Sequence, residues 1–573
     1  MVELRLLVFL AIIAFAFTKS VPKKELPPSC DSKIYCQGNL LNTVQMARVF
    51  PDSKTFVDLS LSHKKDEVLK NFEIFMENSN QNPNQSDVKK FVGENFVEGK
   101  ELENWVPHDY NEHPNILNKI SDASIKNLTA EINARWPKLG RKVVEDVKIN
   151  PNEHSLIYVP NGFIIPGGRF KEFYYWDSYW IVRGLLICEM YETAKGILGN
   201  FLSIVDKFGF IPNGGRVYYL QRSQPPLLTK MVKDYYDATK DLTWVSSNIE
   251  IVIKELEWWL NKRFVSVSLE DKSYRMAAYT SASLGPRPES YSEDIATVQI
   301  FESDEKKQYV FNQLKSAAES GFDFSTRWIF DENGTHFANI SFTETSRVIP
   351  VDLNAILYGA FNDLSYLCSI LSKSDQEKRW KNEADSLKDA ISNVLWDEND
   401  GIWYDFDNKL KRRRPFFAAS NLAPLWTQAY DTTKSKEYGM KAAGYLVREK
   451  ITSYKGGIPT TLYNSNEQWD FPNAWPPLQS IVVNGLRSTE VQEAMDLAKT
   501  FAENFVEAAR IGFERENAFF EKYDAVQQGQ YGGGGEYQVQ TGFGWTNGVV
   551  LEFIDLYFTG NKLNKSPKSR KHN

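Results

Sequence analysis

Helical segments separated by long loops of unusual composition constrain the fold of this chain more than any other sequence feature. Apolar residues recur at helical spacing in residues 187–205, 356–370, 384–394, 491–505 and 549–557, whereas clean strand alternation is scarce. The intervening segments rich in Gly, Pro, Arg, Trp and Asn are residues 159–179, 209–226, 285–294, 456–477 and 521–544. Because loops of this length in a compact domain are usually functional, we predict helical hairpins in an all-α toroid with these loops gathered over one end.

Residues that commonly begin or end helices refine these segments. Gly209 follows the apolar stretch that begins at residue 187 and predicts a stop there. Thr489 and Gln492 fit a capping box for the helix that follows them. For the last helix, Asn547 is the candidate N-cap and Gly560 the candidate terminator.

The first twenty residues predict a cleaved secretory signal. Arg5 precedes an unbroken apolar run at residues 6–17, and small or polar residues follow it. A membrane span needs about 20 apolar residues, so the run is too short, and the absence of a stop-transfer pattern disfavours a signal anchor. The basic, polar C-terminus lacks the apolar end that a lipid-anchor signal needs. We therefore expect a secreted, extracellular protein with no transmembrane segment.

One large domain is the simplest organisation, because no Ser/Gly tract, Pro tract or charge block interrupts the chain before about residue 560. We expect a signal peptide at residues 1–20 and an N-terminal extension at residues 21–60 packed on the main body. The helical toroid then covers residues 61–560, and a polar tail covers residues 561–573.

Cysteines and glycosylation sequons fit an extracellular setting. Cys30 and Cys36 are close in sequence, and we expect them to close a small loop by a disulfide in an oxidising compartment. Cys188 and Cys368 lie in apolar runs, which favours buried free thiols. Surface exposure is predicted, if they are glycosylated, for the sequon residues Asn84, Asn127, Asn333 and Asn339.

Several function classes find no support in the sequence. A net charge of −7 without a basic, aromatic patch makes nucleic acid an unlikely partner. The six histidines show no metal-binding spacing, and no GxSxG motif is present. Residues 93–100 miss the phosphate-loop spacing by one residue. Residues 397–407 place Gly401 one position early for a calcium hand, so a solvated turn between helices is the better interpretation.

Carboxylates set among aromatic and Gly residues are candidates for catalysis. They are Asp177, Asp323, Asp470, Glu521 and Glu536. Hydrolysis of a glycosidic bond needs two carboxyl groups, one to protonate the leaving oxygen and one to attack the sugar or activate water. Asp323 lies between two Phe residues, and an apolar setting disfavours the charged carboxylate and raises its pKa. A helix cap or a buried ion pair with Arg327 remains the alternative for Asp323.

Three arginines lie in similar Gly/Pro-rich loops, namely Arg169, Arg222 and Arg287. A guanidinium presents five donors in a fixed fork, which suits vicinal sugar hydroxyls or a carboxylate. A surface salt bridge is the better interpretation for one such arginine, but three in the same setting indicate a shared site. The glycines at residues 532–535 fit either a flexible spacer or a backbone that closes over a ligand.

At these residues the chain resembles the trehalase family of glycoside hydrolases, in the style of its secreted animal members. Residues 166–180 (PGGRFKEFYYWDSYW) look like the first family signature, and residues 468–477 (QWDFPNAWPP) like the second. Further similar segments include RPESYSED, SGFDFSTRW, EKYD and GGGGEYQVQTGFGWTNG. The resemblance covers residues 159–548, and CDSKIYCQGNLL near the start extends it.

The resemblance implies an (α/α)6 barrel, no metal or organic cofactor, and α,α-trehalose as the small-molecule substrate. It also implies an inverting mechanism in which Asp323 is the general acid and Glu521 is the general base. Trp469 and Asp470 belong to the second signature, with weaker site status. The positions that match the family's sugar contacts are Arg169, Trp176, Asp177, Asn213, Arg222, Ser223, Gln224, Arg287, Pro288, Glu289, Gly321 and Glu536.

Two rival enzymes and one non-enzymatic function remain as alternatives. Another inverting glucosidase on this barrel would prefer maltose. A phosphorylase uses phosphate as nucleophile and needs no base, so Glu521 argues against it. A non-catalytic sugar-binding protein would not need both Asp323 and Glu521. The sequence leaves the oligomeric state open.

Overall fold

The computed structural model describes residues 26–560 except Lys100, Ala338 and Tyr537. The predicted signal peptide and the predicted C-terminal tail lie outside the described residues. Numbered in chain order, the α-helices are α1 (Asn39–Met46), α2 (Ser53–Val57), α3 (Lys65–Asn78), α4 (Gln85–Asn95), α5 (Ile116–Lys119), α6 (Ala123–Asn133), α7 (Trp136–Leu139), α8 (Glu145–Ile149), α9 (Asp177–Ile187), α10 (Tyr191–Phe208), α11 (Leu228–Thr239), α12 (Leu242–Lys262), α13 (Tyr291–Val298), α14 (Asp304–Ser320), α15 (Val351–Ile370), α16 (Ser374–Ala390), α17 (Ala423–Thr427), α18 (Ser435–Arg448), α19 (Pro476–Ser488), α20 (Gln492–Glu516) and α21 (Gly544–Tyr557).

Six of these helices form a closed inner ring, because each packs against the next and the last packs against the first. In ring order they are α9, α11, α15, α17, α19 and α21. Six others, α6, α10, α12, α16, α18 and α20, pack against this ring. The two sets alternate along most of the chain, so helical hairpins supply one helix to each set.

Burial explains which helices lie inside. Helix α15 is buried around most of its circumference, from Val351 to Cys368. By contrast, α16 buries only Trp380, Ala384, Leu387 and Ala390, at a spacing of three to four residues. A helix that is apolar all round needs neighbours on every side, whereas an amphipathic helix can face water.

The strands are short and antiparallel. The longest pair is the hairpin of β6 (Phe264–Leu269) and β7 (Lys272–Ala277). The other strands are β1 (Ser60–Leu61), β2 (Phe96–Val97), β3 (Leu102–Asn104), β4 (Gly140–Val143), β5 (Phe163–Ile164), β8 (Val348–Ile349), β9 (Trp396–Asp397), β10 (Ile402–Trp403), β11 (Phe406–Asp407), β12 (Arg412–Arg413), β13 (Asn473–Ala474) and β14 (Tyr523–Asp524). They pair as β1 with β2, β9 with β10, β13 with β14, β3-β4-β5 and β12-β11-β8.

A second hydrophobic cluster lies beside the main core. It is formed by residues between Ile34 and Phe96, together with Tyr174, Tyr218 and Tyr219 of the main body. The N-terminal segment therefore packs on the loops that lead into α9 and α11. The predicted boundary at residue 60 falls inside this cluster.

The predicted helices exist, but several of their ends differ from prediction. Gly209 is the left-handed C-cap of α10, as predicted. The capping box at Thr489 is wrong, since α20 has Val491 as its N-cap with no side-chain cap. The N-cap at Asn547 is also wrong, because α21 begins at Gly544 and Asn547 lies buried within it. Tertiary burial outweighs the local capping preference at both ends.

The acidic stretch at residues 397–407 is only partly a solvated turn. Residues 398–401 form the turn between β9 and β10, but Asp405 and Asp407 are each 1% exposed. Asp405 accepts from Arg327 at 2.7 Å, and Asp407 lies 2.7 Å from Arg347. These two carboxylates are therefore structural ion-pair partners.

Cys30 and Cys36 form a disulfide, and Cys188 and Cys368 are buried free thiols, as predicted. All four sequon asparagines are exposed: Asn84, Asn127, Asn333 and Asn339. Among the described residues, no helix combines the length and the apolar run that a membrane crossing requires.

Candidate active site

A pocket lies over the N-terminal end of the inner ring. Trp176 and Asp177 lie at the start of α9, Gln224 lies shortly before α11, and Trp475 and Trp545 lie at the starts of α19 and α21. Four of the predicted Gly-rich loops, at residues 159–179, 209–226, 456–477 and 521–544, lead into these helix starts. They therefore meet at the same end of the ring, as predicted.

The pocket brings together most of the residues that the sequence singled out. Its lining consists of Asp52, Lys54, Arg169, Phe170, Tyr174, Trp176, Asp177, Asn213, Tyr219, Arg222, Gln224, Arg287, Glu289, Ser290, Glu293, Ala318, Gly321, Asp323, Trp469, Trp475, Glu521, Glu536, Phe543 and Trp545. Carboxylates, arginines and indole rings thus share one space.

Asp323 enters the pocket from the segment after α14, which ends at Gly321 in the left-handed conformation. The flanking Phe322 and Phe324 are each 1% exposed. Desolvation by the surrounding protein raises the pKa of Asp323 to about 7, opposed by the charge of Arg287. The alternative of an ion pair with Arg327 is not what the structure contains, because that guanidinium contacts Asp352 and Asp405 instead.

Glu521 lies on the segment between α20 and β14 and is 1% exposed. Its backbone oxygen accepts from the Trp545 indole at 2.9 Å, and its Oε2 accepts from the Gln540 backbone amide at 3.2 Å. Glu521 and Asp323 both line this pocket, so the two residues face a common space.

Asp177 is the third carboxyl of this group and the first residue of α9. Burial raises its pKa well above the ordinary value, and the nearby charges of Glu521 and Asp323 raise it further. A carboxyl group that keeps its proton can donate a hydrogen bond. Asp177 is therefore suited to contact an oxygen of a ligand.

The three arginines lie in the pocket, each beside an acidic residue. Arg222 donates to Glu289 at 2.6 Å and to Asn213 Oδ1 at 2.8 Å. The other two pairs are Arg287 with Asp294 at 2.7 Å and Arg169 with Asp52 at 3.4 Å. These partners fix the direction of the Arg222 and Arg287 guanidinium groups, each of which carries five N–H donors in a fixed fork.

Two predicted contact residues do not line the pocket. The Ser223 hydroxyl donates to the Ile211 carbonyl at 2.6 Å, and its amide donates to Glu319 at 2.8 Å. The Pro288 carbonyl accepts from Gln45 at 3.0 Å. Both residues instead hold the backbone beside pocket residues Arg222 and Glu289.

Sequence reasoning missed two classes of lining residue. Asp52 and Lys54 come from the N-terminal segment, and no local motif marks them. Trp475, Phe543 and Trp545 are further aromatic walls, and Trp475 lies within the second signature. Its ring stacks on Trp469 with centroids 3.8 Å apart, so the Trp-rich composition of these loops was the available signal.

The second signature also supports the segment that carries Asp323. Asp470 does not line the pocket. Its carboxylate accepts from the Ser325 hydroxyl at 2.8 Å, from the Thr326 amide at 2.7 Å, and from Thr461 and Ser465. Asp470 therefore anchors the backbone immediately after Asp323.

Comparison with known proteins gives the same picture over nearly the whole chain. The trehalase family profile matches residues 48–558. A trehalase from Tenebrio molitor is 49% identical over 551 residues, covering 96% of this chain and 99% of that protein. One from Homo sapiens is 43% identical over 547 residues, covering 95% of this chain and 92% of that protein.

Among solved structures, neutral trehalase Nth1 from Saccharomyces cerevisiae superposes with a TM-score of 0.55 at 23% identity, covering 69% of this chain and 73% of that one. The shared architecture confirms the predicted (α/α)6 barrel, whose two rings are the inner and outer helix sets described above. On the strength of the family profile and the near full-length relatives, this chain belongs to the trehalase family.

Proposed function

We propose that this enzyme hydrolyses α,α-trehalose to one α- and one β-glucose, with Asp323 as general acid and Glu521 as general base. The observation that carries this proposal is the contrast between the two carboxyl groups in one pocket. The protein around Asp323 raises the pKa of this carboxyl group to about 7, so that Asp323 holds a proton near neutral pH. Glu521 accepts a backbone N–H from Gln540, and such a bond stabilises a charged carboxylate.

The reaction follows from these two roles. Asp323 donates its proton to the interglucosidic oxygen as the bond to the anomeric carbon breaks. Glu521 takes a proton from a water that attacks the same carbon from the opposite face. Inverting enzymes leave roughly 6.5–9.5 Å between the two carboxyl groups to accommodate that water. The attacked glucose leaves as the β-anomer, and the departing glucose keeps its α-configuration.

The remaining pocket residues suit recognition of a sugar. Arg222 and Arg287 are held by Glu289 and Asp294, and their free N–H groups can donate to sugar hydroxyls. Asp177, whose pKa burial raises well above its ordinary value, adds a third carboxyl group close to the reacting bond. The indoles of Trp176 and Trp469 offer apolar faces to the pyranose rings.

NMR observation of the first glucose anomers released from trehalose tests the stereochemistry. We expect α- and β-glucose in equal amounts before mutarotation. A retaining enzyme would release only the α-anomer, and that result would contradict the role of Glu521 as a base.

A substrate panel separates this proposal from its rivals. Hydrolysis of trehalose without phosphate argues against a phosphorylase, since the water activated by Glu521 is the nucleophile. Preference for maltose over trehalose would instead favour a different glucosidase on the same barrel.

The compartment is part of the proposal. The Cys30–Cys36 disulfide supports an oxidising environment. The four exposed sequons, at Asn84, Asn127, Asn333 and Asn339, are accessible to glycosylation. Together with the predicted signal peptide, these features support a secreted glycoprotein. Peptide-N-glycosidase treatment of the protein from a eukaryotic host would lower its apparent mass, and an unchanged mass would argue against glycosylation.

A further inference from the structure

We propose that Gln468 is a positioning residue that ties the segment carrying Asp323 to the segment carrying Glu521 and so sets the separation of the two carboxyl groups. This inference rests on the roles proposed above for Asp323 and Glu521. It gives the first residue of the second signature a function in the reaction, although Gln468 does not line the pocket.

Two hydrogen bonds at opposite ends of one amide form the tie. The Gln468 Nε2 donates to the backbone carbonyl of Asp323. The Lys522 ammonium donates to Gln468 Oε1 at 3.1 Å, and Lys522 directly follows Glu521 in the chain. Gln468 is 1% exposed and Lys522 is 0% exposed, so water does not compete for either bond.

The chemistry of the two partners suits an amide at this position. A backbone carbonyl can only accept a hydrogen bond and an ammonium can only donate one. The residue between Asp323 and Lys522 must therefore offer a donor on one side and an acceptor on the other, which also fixes the orientation of the Gln468 amide. A glutamate lacks the donor, a methionine lacks the donor and offers only a weak acceptor, and an asparagine is one methylene shorter.

The bridging residue is itself held in place. The Gln468 backbone carbonyl accepts from Asn473 Nδ2 at 2.9 Å and from the Trp475 indole at 2.8 Å. The next residue, Trp469, donates its amide to the Phe324 carbonyl at 3.0 Å. Because the anchor is rigid, the position of Gln468 is transmitted to both segments.

The Gly-rich segment packs on the same bridge. Lys522 donates a second hydrogen bond to the Gly534 carbonyl at 3.2 Å. A Cβ at Gly535 would lie 2.8 Å from the Gln468 Cβ, so only glycine lets that backbone approach. The bridge therefore joins three pocket segments, those carrying Asp323, Glu521 and Glu536.

The test is kinetic analysis of Gln468→Met, Lys522→Met and the double variant with trehalose. A misplacement of about 1 Å costs roughly 10²-fold in rate, so we expect kcat to fall by about that factor in Gln468→Met while KM changes little. Since each single change breaks the same bridge, the two losses should not multiply in the double variant. Wild-type kcat in Gln468→Met, or multiplying losses, would overturn the bridge.

Gln479→Met is the matched control. Gln479 is 0% exposed and also uses both ends of its amide, on the backbone N–H and C=O of Ile458 at 2.7 and 2.8 Å. Its side chain bonds Ile458 and the backbone carbonyl of Trp475 rather than the segments that carry Asp323 and Glu521, so its loss should lower stability and leave kcat per folded molecule unchanged. An equal loss of kcat in this control would show that any buried amide has the same effect.

Gln468→Glu covers the case in which the methionine variant does not fold. It keeps the side-chain length and the Lys522 contact but presents an oxygen to the Asp323 carbonyl. We expect a similar fall in kcat, and wild-type kcat would again overturn the bridge. Asp323→Asn and Glu521→Gln are assayed alongside. Activity in either of these contradicts the proposed function, whereas their inactivity beside a fully active Gln468→Met contradicts the bridge alone.

Discussion

The guanidinium of Arg287 lies 3.2 Å from the carboxylate of Glu536, and this contact joins the loop before α13 to the Gly-rich segment. The two residues act on Asp323 with opposite signs. The positive charge of Arg287 lowers the pKa of Asp323, and the negative charge of Glu536 raises it. The contact therefore helps to set the pH at which the acid loses its proton.

Glu536→Gln should move the alkaline limb of the pH–rate curve to lower pH. Activity requires protonated Asp323, so it is lost as the pH rises through the pKa of that residue, about 7 in the unaltered protein. Removing the negative charge of Glu536 lowers the pKa of Asp323, so the alkaline limb shifts to lower pH. The measurement is kcat/KM for trehalose against pH, which reports the free enzyme. The exposed Glu270 at the β6–β7 turn supplies the control Glu270→Gln, and an unmoved limb in Glu536→Gln would contradict the coupling.

Asp323→Asn should lower the rate of trehalose hydrolysis by about 10²–10⁴-fold, the usual contribution of general acid catalysis. The loss should be much smaller with α-glucosyl fluoride, because fluoride leaves with little help from a proton donor. Comparing kcat/KM for the two substrates therefore isolates the acid step. Glu521→Gln should lose activity on both substrates, since each still needs an activated water. Equal losses on both substrates in Asp323→Asn would exclude its role as the acid.

Part of the site is predictable because its carboxylates and arginines stand out locally, whereas the roles of Asp323 and Glu521, and contact residues such as Asn213, follow from the resemblance to the trehalase family. Asp323 between two phenylalanines, and arginines in Gly/Pro-rich loops, are unusual in ordinary connecting segments. The loops lead into consecutive inner helices, so their convergence follows once the barrel is known. Helix ends were less predictable. Asn547 is a good N-cap by type, but packing buries it inside α21.

Asp52 and Lys54 could not be predicted from their local sequence. They line the pocket because the N-terminal segment packs on Tyr174, Tyr218 and Tyr219, which is a tertiary contact with no periodic signal. The same holds for Asp405, whose acidic neighbourhood suggests a surface turn. Its burial depends on Arg327, 78 residues away in the chain.

Gly321→Ala should disturb the pocket by more than the cost of placing an alanine in a left-handed backbone conformation. Gly321 has a φ of +80°, and a Cβ there would lie 2.7 Å from the Trp176 ring. The left-handed backbone costs an alanine roughly 1–2 kcal/mol, and displacement of the indole adds about 1–3 kcal/mol. Gly209 has a φ of +85° with nothing within 4 Å, so Gly209→Ala measures the backbone cost alone. The free energy of unfolding, measured with denaturant, and kcat/KM for trehalose should both fall further in Gly321→Ala than in Gly209→Ala. Equal effects in the two variants would refute the ring contact.

Lys54→Met tests whether the N-terminal segment supports the pocket. Lys54 is a buried cation, 2.6 Å from Asp58 and 2.8 Å from Glu172, which is 0% exposed. Removing one partner of a buried ion pair costs about 3–5 kcal/mol because the other charge stays buried. Glu172 in turn accepts from the Tyr174 hydroxyl, and that ring lines the pocket, so KM for trehalose should rise as stability falls.

The control is Lys64→Met, because Lys64 lies 2.7 Å from Glu153 but keeps 69% of its side chain exposed. Exposed ion pairs contribute little to stability. The free energy of unfolding, measured with denaturant, should therefore barely change in Lys64→Met, and KM for trehalose should stay constant. If Lys54→Met lowers stability but leaves KM unchanged, the buried pairs hold the N-terminal segment without shaping the pocket. If both variants match the unaltered protein, Arg216, which lies 3.5 Å away, and the Tyr174 hydroxyl suffice to accommodate Glu172, and the buried cation is dispensable.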